Sequence, residues 1–283
     1  MIKSESDAGH HSVRKLCLVL EISRASYYRW LQNKPSKRVE QYKFLDNKIT
    51  SLFLNYNKIY GAAKIHQLLR RCGVSVCYRT VQRHMQSLGL QSATVTKWKA
   101  TPSSNLTVIN RKNIFNQDFS ANKINQKWAM DITYIKTIND GWCYLASIID
   151  LFSKKIISSK FSKVMDTNLV ISTLIEATKT RNYKGVILHS DLGSQFTSDE
   201  FESILKKLKI KHSFSRKGCP YDNAPMESFH ANLKKEHIYQ RPLYKSFEEA
   251  KLDIFRYIYG FYNSRRIHSS LGYLTPLEFE QQQ

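Results

Sequence analysis

The second half of the chain alternates short apolar runs with longer amphipathic ones. "KWAMDITYIKT" and "GWCYLASIID" are rich in β-branched and aromatic residues and are separated by the turn sequence "INDG", which predicts a β-hairpin. "KKIISSKF" predicts a third strand. "DTNLVISTLIEATKTR" has helical periodicity behind an Asp or Thr cap, and "KGVILHSD" is a short apolar run that predicts a buried strand ending at Asp191. "SDEFESILKKLKI" is a second amphipathic helix, "KHSFS" a brief strand, and "MESFHANLKKEHIY" a helix behind a Pro-containing loop. Three strands followed by helix, strand, helix, strand and further helices predict an α/β domain whose mixed five-stranded sheet is flanked by helices.

The first half reads as helical. Val13, Leu16, Val19 and Leu20 recur at helical spacing, and Ser23 can cap a short second helix through Tyr27 to Trp30. Helix, three-residue turn and helix outline a helix-turn-helix with Arg24 and Arg29 on its second helix; a plain helical hairpin is the alternative. In "YGAAKIHQLLRRCGVSVCYRTVQRHMQSLGL" a second such unit is expected. There Ile65, Leu68 and Leu69 pattern one helix closed by Gly73, and Val81, Met85 and Leu88 pattern the next, closed by Gly89. Lys64, Arg70, Arg71, Arg79 and Arg83 crowd its polar surface. The expected organisation is a helix-turn-helix segment over 1–40, a second over 41–92, a basic Ser/Thr/Asn-rich linker over 93–122 and a sheet-based core over 123–283.

Charge gives these basic helices a meaning. Forty-four Lys and Arg stand against 23 Asp and Glu, a formal net charge of +21. Residues 1–120 hold 20 bases against 6 acids, and no acid at all falls between Asp46 and Asp118. A solubility charge seldom excludes one sign for so long, so the expected partner is double-stranded DNA, with phosphate contact from Arg24, Arg29, Arg70, Arg71, Arg79 and Arg83. No apolar run reaches the roughly 18 residues of a membrane helix, and the N-terminus lacks the apolar core of a secretory signal. The expectation is a soluble, cytoplasmic protein that touches no membrane. Cysteines 17, 72, 77, 143 and 219 form no C-x-x-C pair, which predicts reduced thiols; His10 and His11 before Cys17 complete no zinc set.

In a chain this basic, the acids of the second half stand out. Asp131 falls inside the first strand, Asp191 ends the fourth, and Glu227 opens the helix after "GCPYDNAP". Fifty-nine residues separate Asp131 from Asp191, and 35 separate Asp191 from Glu227. A strand, a strand end and a helix start can meet at one sheet edge. Oxygen-rich clusters of that kind suit Mg²⁺ or Mn²⁺, two of which about 3.5–4 Å apart support phosphoryl transfer. Asp150, ending the second strand, competes with Asp131 for the first position. Asp222 reads as a loop former with Asn223 beside it, and Glu236 as a helix-surface charge. His189, Ser190, Gly193 and Gln195 flank Asp191 and are expected to support its shape or touch DNA. Lys234 follows Glu227 by two helical turns, on the same face, where it would hold a phosphate or base of a DNA end; His230 is a further candidate for that cleft.

"WAMDITYI", "HSDLGSQFTS" and "GCPYDNAPMESFHANLKKE" together resemble the Asp-Asp-Glu transposases of bacterial insertion sequences, in particular the second-reading-frame (OrfB) type of the insertion-sequence-three family. "YNSRRIHSSLGYLTPLEF" is similar to that family's closing motif and "YGAAKIHQLLRRCGV" to its helix-turn-helix, so the resemblance spans residues 12–280. It implies a ribonuclease-H-like core with Asp131, Asp191 and Glu227 as metal ligands and catalytic acids, binding of terminal inverted repeats, and 3′-end cleavage with strand transfer. It also implies a homo-oligomer on DNA and an upstream-frame protein or fused segment as partner. A catalytically idle, domesticated copy acting as a DNA-binding repressor and a nuclease that cuts without joining are the rival functions.

Overall fold

The computed structural model describes residues 2–32, 36–94 and 111–283. It divides into two compact units, one of residues up to Lys58 with Leu68–Gln91, the other of Ile59–Gln67 with Ser92–Gln283. Most of the expected linker, residues 95–110, falls outside the described residues.

The first unit holds α1 (Ile2–Asp7), α2 (Val13–Val19), α3 (Arg24–Gln32), α4 (Lys37–Asn55), the end of α5 (Ala62–Arg71) and α6 (Tyr78–Ser87). Ser12 caps α2 and Ser23 caps the start of α3, accepting from Ser26 N at 3.0 Å. Val13, Leu16 and Leu20 pack with buried Cys17, Ile2 and Tyr27. Val19 does not join them and is 73% exposed. Six residues from Val13 at ~100° each carry it about 240° round the helix, away from the packed stripe, and Cys17 takes its place. Helix α4 was not expected; it buries Leu45, Ile49 and Phe53 at a spacing of four and runs through residue 40. Val81 and Met85 form the buried stripe of α6.

In the second unit the sheet order is β3-β2-β1-β4-β5. Strands β1 (Lys127–Lys136), β2 (Trp142–Asp150) and β3 (Ile156–Ser162) are antiparallel, and α7 (Thr167–Thr180), capped by Asp166, leads to β4 (Ile187–Ser190). The short α8 (Ser194–Thr197) and α9 (Asp199–Leu208) lead to β5 (Lys211–Phe214); β4 pairs in parallel with both β1 and β5. A 3₁₀ turn, Pro220–Asn223, opens into α10 (Ala224–Glu236), and α11 (Phe247–Phe255) continues into a π-helical stretch, Arg256–Tyr262, before α12 (Pro276–Gln281). This is the mixed five-stranded sheet of a ribonuclease-H-like fold.

Alternation along β1 sends side chains to two cores. Trp128 and Met130 meet Leu169, Val170 and Leu174 of α7 and Phe201 and Leu205 of α9. Ala129 and Ile135 face Phe229 and Leu233 of α10 together with Ile254 and Tyr257. Helix α10 therefore runs across the β1 face that carries the odd-numbered residues, Asp131 among them.

Glu236 corrects the sequence reading. It is no surface charge but 8% exposed, accepting Arg266 Nε at 2.7 Å, Arg266 Nη2 at 2.6 Å and the Tyr257 hydroxyl at 3.0 Å. Lys64, expected on the basic surface, is part of the same neighbourhood. Burial first, then the Arg266 charge, pushes it down to about 8, with Glu236 opposing. All five cysteines are free thiols, and no helix among the described residues is long and apolar enough to cross a membrane.

Candidate active site

Parallel pairing of β1 with β4 sets Ala129 opposite His189. Two residues further along each strand direction come Asp131 and Asp191, side by side at the end of the paired region. Asp131 Oδ1 accepts the Ile132 N–H at 2.8 Å, and its Oδ2 is 3.4 Å from His230 Nδ1. Asp191 Oδ1 accepts the Gly193 N–H at 2.9 Å. Burial, then the charge of Asp131, pushes the Asp191 carboxyl up to about 6 against that hydrogen bond. Glu227, exposed in the first turn of α10, is raised as well, by partial burial and again by Asp131. The three expected acids thus feel one another through Asp131. No Lys or Arg among the described residues forms an ion pair with Asp191 or Glu227, and no three His, Cys, Asp or Glu side chains there stand as a ready set of metal ligands.

Asp150, the competitor for the first position, is fully buried and consumed locally: it accepts the backbone N–H of Asn125, Phe152 and Ser153. Asp222 shapes the loop before α10. Its carboxylate accepts the backbone N–H and guanidinium of Arg216 and the amides of Asn113 and Gln117, which holds it well below the usual carboxylate range, the Arg216 bond first. Asn113, Gln117 and Arg216 were not anticipated, because nothing in their local sequence points to a partner about 100 residues away in two of the three cases.

The flanking residues act from beneath. His189 is fully buried, stacked on Phe115 at 4.7 Å and bonded to the Ser213 and Ser215 hydroxyls. Burial pushes it down to about 4, so the ring is neutral at pH 7. Ser190 Oγ donates to the Asp191 carbonyl at 2.9 Å, and Gln195 Nε2 donates to the Met165 carbonyl at 3.3 Å. Asn223 Oδ1 and His230 Nε2 are buried without a partner among the described residues. Lys234 is half-buried, its ammonium pushed down by burial and partly restored by Asp131. In the other unit Arg24 and Arg29 on α3, Arg70 and Arg71 at the end of α5, and Arg79 and Arg83 one turn apart on α6 are all exposed.

Residues 121–220 and 208–276 each match the family model of an integrase core domain, and 41–98 that of an HTH-like domain. The transposase of insertion sequence element IS904 from Lactococcus lactis is 37% identical over 88% of this chain and 98% of its own length. Transposase InsF for insertion sequence IS3A of Escherichia coli K12 is 34% identical over 98% of this chain and 96% of its own. The chain belongs to the IS3-family transposases. Among solved structures, the catalytic core domain of HTLV-2 integrase in complex with magnesium covers 55% of the transposase and 96% of its own chain, at 19% identity and a TM-score of 0.42.

Two expectations follow from the geometry. A Cβ added at Gly193 would meet Asp191 Oδ1 at 3.0 Å and Gln195 Oε1 at 3.2 Å, so Gly193→Ala needs these side chains to give by a few tenths of an ångström. DNA cleavage should fall about tenfold to a hundredfold while thermal stability changes by less than about 1 kcal/mol; equal cleavage rates would show that the Asp191 pose is immaterial. The second concerns pH. Asp191 titrates near 6 in the folded chain against about 3.9 unfolded, so its contribution favours folding below pH ~4 and is lost as pH rises through 6. The metal-free Asp191→Asn variant should therefore match wild type near pH 4 and be more stable at pH 8, by up to about 3 kcal/mol. Thermal unfolding across that range measures it, and a pH-independent difference contradicts it.

Proposed function

We propose that this transposase binds the terminal inverted repeats of its own mobile element, cleaves the phosphodiester at each 3′ end, and transfers the exposed 3′-OH to a second DNA phosphodiester. The observation that supports this most directly is the mutual repulsion of the acids in a chain of +21: Asp191 raised to about 6 by burial and Asp131, and Glu227 raised by burial and the same Asp131. A carboxylate set with no Lys or Arg ion-paired to Asp191 or Glu227 among the described residues is chemically suited to hard divalent cations. Asp131, Asp191 and Glu227 would hold Mg²⁺, or Mn²⁺ in its place, as two ions. The exposed Glu227 side chain can turn toward the other two acids. Bound metal supplies neutralisation of the phosphoryl charge and activation of the attacking oxygen.

The chain's own residues do the rest. The Gly193 N–H fixes one Asp191 oxygen and leaves its second oxygen open, and the Ile132 N–H fixes one Asp131 oxygen. His230 holds the remaining Asp131 oxygen from the α10 side. Asp222 and Asn223 define the loop that presents α10, and His189, Ser190 and Gln195 brace the Asp191 turn. Lys234 would bind the phosphate or terminal base of the DNA end. Arg24, Arg29, Arg70, Arg71, Arg79 and Arg83 would contact backbone phosphates, fixing register without reading sequence. We divide the chain accordingly into DNA-binding segments 1–40 and 41–92, a linker 93–122 and a catalytic core 123–283. Joining two element ends calls for a homo-oligomer on DNA, with an upstream-frame segment as a further partner, on the bacterial nucleoid. The test is a labelled duplex carrying the element's end, incubated with the purified chain and Mg²⁺ or Mn²⁺. Metal-dependent cut and joined products are expected; cutting without joining would leave only a nuclease.

A further inference from the structure

Beyond Ile132, the even-numbered face of β1 leaves the α7 core, and its side chains become exposed and aromatic. Tyr134 stands opposite Tyr144 on β2, and Lys136 opposite Trp142. The Tyr134 ring packs edge-on against Tyr144 at 5.4 Å and perpendicular to Trp142 at 6.4 Å, with Lys136 Nζ 5.8 Å from the Trp142 ring centre. Tyr134 is 48% and Trp142 55% exposed. Such rings normally go to a core; here a strand spends them on its surface three residues from Asp131. We propose that the ladder of Tyr134, Tyr144 and Trp142, with the charge of Lys136, is a stacking site for unpaired nucleobases of the DNA strand whose scissile phosphate lies at the acids.

Three observations carry this. The patch is built of ring faces and a cation, not of aliphatic side chains, and that combination suits a base with its phosphate: π-faces stack without regard to sequence, and the ammonium meets the backbone. It begins three residues along β1 from Asp131, on the strand's other face and past the end of the pairing with β4. The Tyr134 proton is held on by burial and Tyr144, and then by the negative charges of Asp191 and Asp131, so the phenol is within electrostatic reach of both acids. The chemistry also asks for it. Bases of a closed duplex hide their faces in the stack, so only an opened end offers them to such a surface. A surface that stacks the released bases offsets the cost of opening them.

The proposal rests on the acid-site reading above, and the two can fail separately. The full-length chain without added divalent metal would be titrated with two duplexes of one sequence. One is fully paired; the other has a few unpaired nucleotides at one end and 2-aminopurine as the last base. Wild type should bind the open duplex more tightly and change the probe's fluorescence. Tyr134→Ala and Trp142→Ala should each weaken the open duplex by about tenfold and leave the paired one unchanged, and Tyr134→Phe, which keeps the ring, should behave as wild type. Equal affinities and an unchanged probe in both alanine variants would overturn the stacking site. So would a loss of self-association of the DNA-free chain in those variants, since the face would then belong to a second copy. Cleavage that survives Glu227→Gln would remove the acid assignment alone, because the probe reads stacking without chemistry.

Discussion

Glu227→Gln is expected to abolish both cleavage and joining while leaving the fold and DNA binding intact. The substitution keeps the shape of the side chain and removes only its charge. Glu227 is exposed in the first turn of α10, so a neutral replacement should change stability by no more than about 0.5 kcal/mol. Losing one of three carboxylates at a site proposed to hold two divalent ions removes several kcal/mol of transition-state stabilisation, at least about a thousandfold in rate. Measuring joined product beside cut product under Mg²⁺ or Mn²⁺ reads the effect, and joining at the wild-type rate would sink the assignment. Asp191→Asn makes a useful companion. It should be equally inactive yet more stable at pH 8, because the folded chain holds Asp191 ionised at a cost. A site whose removal stabilises the protein is one kept for chemistry.

Legibility in the sequence was uneven, and the causes are local versus long-range. The strands were readable because alternation and the "INDG" turn are local signals; so were the Ser23 and Asp166 caps. That Asp131 and Asp191 stand side by side depends on parallel pairing of β1 with β4, which the chain itself does not announce. Helix α4 escaped notice because its three buried residues are diluted among Lys, Gln and Asn at other positions. The partners of His189 could not be read from the sequence: Phe115, Ser213 and Ser215 come from segments 24 or more residues away. Glu236 is the more instructive case. Met226, Phe229, Leu233 and Glu236 fall on one helical stripe, so the position was readable as buried, and only the charge argued otherwise. Its partner lies 30 residues on, in "YNSRRIH".

Arg266→Ala should consequently be among the most destabilising single substitutions in this core, by about 3–5 kcal/mol. Arg266 and Glu236 are 6% and 8% exposed, and the guanidinium makes two parallel bonds to the carboxylate. Their mutual attraction raises the Arg266 pKa further, against burial. Removing the guanidinium strands a buried carboxylate with the Tyr257 hydroxyl and a Lys64 ammonium that is already pushed down to about 8. His268 does not replace the lost charge, since burial, the first cause of its depressed value, persists when Arg266 is gone, as do the charges of Lys64 and Lys154. The cost comes from the unpaired partner and not from a lost attraction, and that distinction is measurable. Arg266→Met with Glu236→Leu should recover most of the stability that Arg266→Ala loses, because two apolar side chains need no partner. Denaturant unfolding of the three variants decides it. If the double variant is as unstable as Arg266→Ala, the pair contributes attraction of its own, and a deficit below about 1 kcal/mol for Arg266→Ala would mean water already reaches Glu236.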